Sequence, residues 1–221
     1  MATSYELIYY VGVPGRGEHI RLLLEESDVQ YTDTAALTMD ECRSIVTKTL
    51  DGDRENPPYY APPLFRHNGL LISQTSNVLM YLGRQLGLAG QREDDVWRVN
   101  ALALSALDGL SNEVHDCHHP IGIELYYEDQ RKESARRSKE WIKTRLPKHL
   151  GYWEKVLKSE TGSKGPWLLG DIFTYADIVL FQLCEDIKTR PKLAAYLASE
   201  RRQKYDWGIY RYYPENDVKA E

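Results

Sequence analysis

Two proline pairs, Pro57-Pro58 and Pro62-Pro63, constrain this chain more than anything else in it. Proline fixes φ and lacks an N–H, and it pushes the residue before it out of the helical region, so no helix can run through 57–63. The stretch after them is almost as restricted. Leu64-Phe65 and Leu70-Leu71-Ile72 are short apolar runs split by His67-Asn68-Gly69, which is hairpin-turn chemistry. From Gln74 onward, Val78, Leu79 and Leu82 recur on one helical face behind the hydroxyl pair Thr75-Ser76. Residues 61–83 therefore combine a proline turn, a β-hairpin and a helix N-terminus suited to an anion.

Upstream, residues 5–11 (YELIYYV) read as a strand and 18–26 as a helix with Ile20, Leu23 and Leu24 inward. A second strand falls near 29–35, and 42–50 reads as a helix with Ile45 and Val46 inside. The order βαβαββα predicts a small mixed sheet flanked by helices. Residues 83–95 are rich in Gly and polar side chains and read as a linker. Beyond them no strand pattern is found. Trp97, Ala101, Leu104, Leu107 and Leu110 predict a long helix over 96–114. One or two helices follow over 127–157, with Pro147 starting or kinking the second. Residues 174–187 form a strongly apolar, central helix. Thr174-Tyr175-Ala176-Asp177 opens it as a capping box, with Thr174 accepting from a helix-start N–H and Asp177 reaching back to the cap N–H. The fold class expected is α/β plus all-α, with domains at 1–84 and 95–221.

Composition excludes several functions. A net charge of −5 over 221 residues argues against nucleic acid as partner. Cys42, Cys117 and Cys184 are odd in number and widely spaced, so a disulfide framework is not expected and a reducing compartment is. No leader pattern and no long apolar run point to secretion or a membrane partner, so the expected location is cytoplasmic. The chain has 16 Tyr against 3 Phe, a bias that suits half-wet clefts.

Three motifs together resemble the cytosolic glutathione transferase family of the tyrosine type (mu, sigma, pi or alpha-like). Residues 10–25, YVGVPGRGEHIRLLLE, look like that family's strand-to-helix start. Pro63-Leu64-Phe65 with Gln74-Thr75 matches its cis-proline turn and the start of its third helix in type and spacing. Residues 170–178, GDIFTYADI, are close to its buried capping motif. The resemblance implies a thioredoxin-like N-terminal domain followed by an all-helical domain. It also implies glutathione as co-substrate, no metal, and a homodimer that conjugates the glutathione thiolate to small hydrophobic electrophiles in detoxification. The alternatives at the same site are a protein that binds glutathione or a hydrophobic ligand without catalysis, and a glutathione-dependent peroxidase or isomerase.

The same resemblance assigns residues. Counting back from Arg21 without a gap, Tyr10 is the hydroxyl that donates to the thiolate, while Tyr9 points to the opposite face of its strand and packs in the core. A free thiol ionises near pH 8.5, and a donor to the charged form lowers that value. Gln74 and Thr75 grip the γ-glutamyl group. Pro63 shapes the cysteinyl contact. Pro62 occupies the position whose backbone pairs with the cysteinyl part, but it has no N–H, which implies weaker or altered binding. The glycyl carboxylate needs a cation, for which Arg54, Lys48 and Arg16 are candidates. Asp108 resembles an aspartate that reaches across the dimer to the γ-glutamyl amine. Val13, His115, His118 and Tyr210 are expected at the second-substrate site. His115-Asp116-Cys117-His118-His119 has metal-ligand residue types, but neighbouring helical residues diverge by about 100°, so no metal is expected.

Overall fold

The short apolar run YELI forms β1 (Tyr5–Ile8), with Leu7 and Ile8 fully buried. A computed structural model of the chain describes residues 5–184 and 198–199. Three more strands join β1: β2 (Tyr31–Asp33), β3 (Leu64–His67) and β4 (Leu70–Ser73). The sheet order is β2-β1-β3-β4; β1 runs parallel to β2, and β3 runs antiparallel to β1 and β4. Helices α1 (Gly15–Glu26), α2 (Met39–Leu50) and α3 (Thr75–Gln85) complete the βαβαββα order expected from the sequence. The β3–β4 turn is Asn68-Gly69, with φ of 50° and 87°. A two-residue hairpin needs that left-handed pair, which Asn and Gly tolerate best.

Two helices differ from the periodic reading. α2 begins before Cys42, at Met39, because Thr38 and Glu41 form a capping box: the Thr38 hydroxyl accepts from the Glu41 N–H, and the Glu41 carboxylate accepts from the Thr38 N–H at 3.0 Å. α1 is buried on all sides from Gly17 to Leu24, not on one face. This is tolerable because its charges are paired. Arg21 donates to Glu18 at 3.1 Å and to Asp33 at 2.6 Å, and Glu18 and Arg21 are almost wholly buried.

His19 is buried in the same helix, and its Nδ1 has no hydrogen-bond partner among the described residues. Burial, aided by the Arg16 charge, pushes its pKa down to about 3. The folded chain therefore refuses a proton that the unfolded chain accepts below the ordinary histidine value of about 6.5. Stability should fall by about 1.4 kcal/mol for each pH unit below that value until the folded pKa is reached. In urea titrations, His19→Gln should flatten this dependence by about 2 kcal/mol at pH 5 relative to neutral pH. An unchanged slope would show that His19 is not the group responsible.

The second compact unit begins at Gly90. In it, α4 (Asp95–Leu104), a π-helical turn (Ser105–Ser111) and α5 (Asn112–His118) follow without a break. Trp97, expected on the inner face, is 63% exposed, and Ala101 is also exposed, whereas Val99, Ala103, Ala106, Leu107 and Leu110 are buried. Asp95 sets this rotation. Its buried carboxylate accepts from the N–H groups of Gln91 and Arg92 and from the Arg92 and Arg98 guanidinium groups, which turns Val99, four residues on, inward.

Next come α6 (Arg131–Glu140), a second π-helical turn (Trp141–Arg145) and α7 (Leu146–Lys158), also continuous. Pro147 starts α7, one of the two roles expected of it, without interrupting the helical run. It sits in the first turn of α7, where its missing N–H is absorbed by the widened turn before it. Glu113 ties the two helical runs together. It accepts from Trp141 Nε1 at 3.0 Å, Arg145 Nε at 3.0 Å and His149 Nε2 at 3.1 Å. The Arg145 bonds, with those of His149, hold its carboxyl down at about 2.

The apolar helix α8 (Tyr175–Cys184) starts at the expected capping residues, with one exchange of roles. Asp177 accepts from the Thr174 N–H as expected. The Thr174 hydroxyl, however, also donates to Asp177, and it is the Thr174 carbonyl that takes the Asp177 N–H.

Candidate functional site

Strand register brings the first unit's candidate residues to one end of the sheet. Ile8 pairs with Leu64, and Leu64 pairs with Ser73. One step further along these antiparallel ladders, the Tyr9-Tyr10 end of β1, the Pro62-Pro63 entry to β3 and Gln74 after β4 lie side by side. The Pro62–Pro63 peptide bond is cis. Thr75, the first residue of α3, donates its hydroxyl to the Arg16 carbonyl at 3.3 Å, joining the start of α3 to the start of α1. That proton is thus engaged within the protein. What the α3 start offers an anion is its first backbone N–H groups, since no side chain caps it.

The two tyrosines part company at the end of β1. Tyr9 is buried, and its hydroxyl accepts from the Arg16 N–H at 3.1 Å. Burial raises its pKa, so the phenol stays neutral. Its ring lies where only glycine fits at residue 17: a Cβ there would sit 2.6 Å from Tyr9 Cδ1. Tyr10 is 43% exposed, and its hydroxyl has no hydrogen-bond partner among the described residues. The backbone beside it is firmly held. Thr34 Oγ1 accepts from the Tyr9 N–H at 2.8 Å and donates to the Tyr9 carbonyl at 2.6 Å, and the Cys42 thiol donates to the same carbonyl. Thr34 and Cys42 were not legible as site supports, because they lie far along the chain and belong to no motif.

Gln74 has φ 70° and ψ 118°, a conformation that costs a residue with a Cβ on the order of 1–3 kcal/mol. Backbone strain of this kind persists where the surroundings impose it, commonly at ligand sites. The sequence holds no signal for it. Arg54 and Lys48 are both exposed. The Arg54 loop is braced by Asp53, which accepts from the N–H groups of Glu55 and Asn56, and by Asn56, which accepts from the Leu71 N–H.

Residues 115–190 match the family model described as glutathione S-transferase, C-terminal domain. Among curated proteins, the chain is 29% identical to glutathione S-transferase Mu 6 of Mus musculus, over 80% of this chain and 73% of that protein. It is 22% identical to the glutathione S-transferase of Plasmodium falciparum, over 83% and 81% respectively. The solved pi-class glutathione S-transferase of Onchocerca volvulus superposes with a TM-score of 0.67 at 24% identity, over 87% of this chain and 91% of that one. Over most of its length the chain is thus similar to glutathione S-transferases.

Of the remaining candidates, Val13 is half-buried before α1, and Asp108, His115 and His118 lie in the second unit. Asp108, in the first π-helical turn, is exposed and makes no hydrogen bond or ion pair among the described residues. His115 and His118 are half-buried in α5. Burial, with the charges of His119 and His115, pulls the His118 pKa down to about 4, so its imidazole is neutral at physiological pH. The His115 and His119 rings lie 5.1 Å apart, and His118 faces the Tyr127 ring. Among the described residues no cluster of three or more His, Cys, Asp or Glu is arranged to hold a metal. Tyr210 lies outside the described residues.

Proposed function

We propose that this chain is a cytoplasmic, homodimeric glutathione S-transferase that adds the thiolate of glutathione to small hydrophobic electrophiles, a detoxification reaction. The observation behind this reading is the convergence of Tyr10, Pro62-Pro63 and Gln74-Thr75 on one end of the sheet. Glutathione would lie along that edge within residues 1–84. Tyr10 offers an exposed hydroxyl to the sulfur, the Pro62 carbonyl faces the cysteinyl N–H, and the α3 start receives the γ-glutamyl carboxylate. Arg54 is the cation proposed for the glycyl carboxylate, and Asp108 the carboxylate reaching the γ-glutamyl amine of a second copy. Val13, His115, His118 and Tyr210 are the residues proposed to meet the electrophile.

Chemically, the step needs a thiolate at neutral pH. A neutral phenol donating to sulfur stabilises the anion and not the thiol, so it lowers the thiol pKa. A shift of about two units corresponds to roughly 2.7 kcal/mol, within reach of one charge-assisted bond together with helix-start dipoles. The test is turnover of a chlorodinitrobenzene-type substrate with glutathione by the purified chain. Turnover dependent on both substrates is expected, and its absence over a broad electrophile panel would remove the transferase reading.

A second reading is supported by Pro62, which offers a carbonyl but no N–H where the family pairs both. It is a protein that binds glutathione without conjugating it. Retention on immobilised glutathione with no turnover on any electrophile or peroxide would favour it.

A further inference from the structure

Away from the proposed glutathione site, two features of the second unit follow one another in the chain. The connection from α5 to α6 leaves Ile121, Ile123 and Tyr126 between 60% and 79% exposed. This apolar loop is held in place from below. Gln130, fully buried, donates to the carbonyls of Gly122 at 3.0 Å and Leu125 at 3.1 Å, and accepts the Ile121 N–H at 3.0 Å. A cluster of large apolar side chains pinned outward needs something to cover it.

Two residues beyond Gln130 a basic stripe begins. α6 turns Ser134 and Ser138 inward. On the opposite side, at helical spacing, Lys132, Arg136, Lys139 and Lys143 line one open groove with Ala135 and Glu140. None of these four cations makes an ion pair or hydrogen bond among the described residues. From Arg131 to Lys148 stand eight Lys or Arg against two Glu, in a chain whose net charge is −5. This helical run thus carries a local excess of positive charge, while the rest of the chain is acidic on balance.

We infer that the apolar loop and the basic stripe that follows it share one face, and that this face docks onto the surface of an anionic phospholipid bilayer. Ile121, Ile123 and Tyr126 enter the headgroup boundary while the Lys and Arg head groups meet lipid phosphates. A nucleic acid would use the cations and leave the isoleucines exposed. A second copy meeting this face with its own would bury the isoleucines but set cations against cations. An anionic lipid surface uses both. The acidic remainder is repelled by such a surface, so only this face can approach it. Among the described residues no helix is long and apolar enough to cross a membrane, and the contact is peripheral. The expectation of no membrane partner came from the lack of a spanning run, which does not bear on surface docking.

The test is co-sedimentation of the full chain with vesicles of phosphatidylcholine alone, or with about 30% phosphatidylserine. Binding is expected only to the anionic vesicles and should weaken as salt screens the cations. The quadruple variant K132Q/R136Q/K139Q/K143Q should bind roughly a hundredfold more weakly. I121S/I123S should lose about tenfold or more at every salt concentration. Circular dichroism and urea midpoints would verify that both variants fold. No wild-type binding, equal binding to neutral vesicles, or folded variants that bind like wild type would each overturn the proposal. So would the case in which I121S/I123S changes only the oligomeric state on a sizing column, or the cations retain only a nucleic acid.

Discussion

Replacing Tyr10 by Phe is expected to lower kcat/KM for conjugation about 10- to 100-fold near neutral pH, the worth of one hydrogen bond to a charged sulfur. The loss should shrink as pH rises. Without the donor, the bound thiol returns toward its ordinary value of about 8.5, and the pH–rate profile moves upward by about 1–2 units. Tyr9→Phe should behave in the opposite sense. Its hydroxyl accepts the Arg16 N–H, so its removal deletes one buried hydrogen bond at the helix start and costs stability of about 1 kcal/mol, with little change in rate. If Tyr9→Phe abolished turnover and Tyr10→Phe did not, the assignment of the two tyrosines would be reversed.

Replacing Asp177 by Ala is expected to cost about 3–5 kcal/mol of stability, a large part of the 5–15 kcal/mol typical of a folded chain. The carboxylate is buried and accepts three hydrogen bonds: the Leu168 and Thr174 N–H groups and the Thr174 hydroxyl, each at 2.8 Å. Without it, donors fixed in the turn before α8 and at its first residues lose their acceptor in a dry environment. Thr174→Val removes only the hydroxyl and should cost about 1 kcal/mol. Urea titrations of the two variants measure both values, and a cost under about 1 kcal/mol for Asp177→Ala would mean that water satisfies those donors.

The sequence by itself determined the elements of the first unit and the identity of the groups at its sheet end. Prolines, the Asn68-Gly69 turn and short apolar runs are local devices whose geometry follows from covalent structure and side-chain period, so βαβαββα could be read directly. The Thr174–Asp177 cap was legible for the same reason, its partners being three residues apart. Tertiary structure decided what depends on distant partners. It buried Glu18 and Arg21 in α1, because Asp33 and their mutual pairing made that burial tolerable, and it buried His19 between them as a neutral imidazole. It rotated Trp97 outward by burying Asp95. It absorbed Pro147 in a widened turn and recruited Leu168 to Asp177 and Thr34 to Tyr9, contacts between residues with no shared periodicity. It also separated two adjacent tyrosines into a buried acceptor and an exposed hydroxyl. A strand's period of two could say only that they point apart; the Gly17 contact and the α1 start fixed which one packs inside.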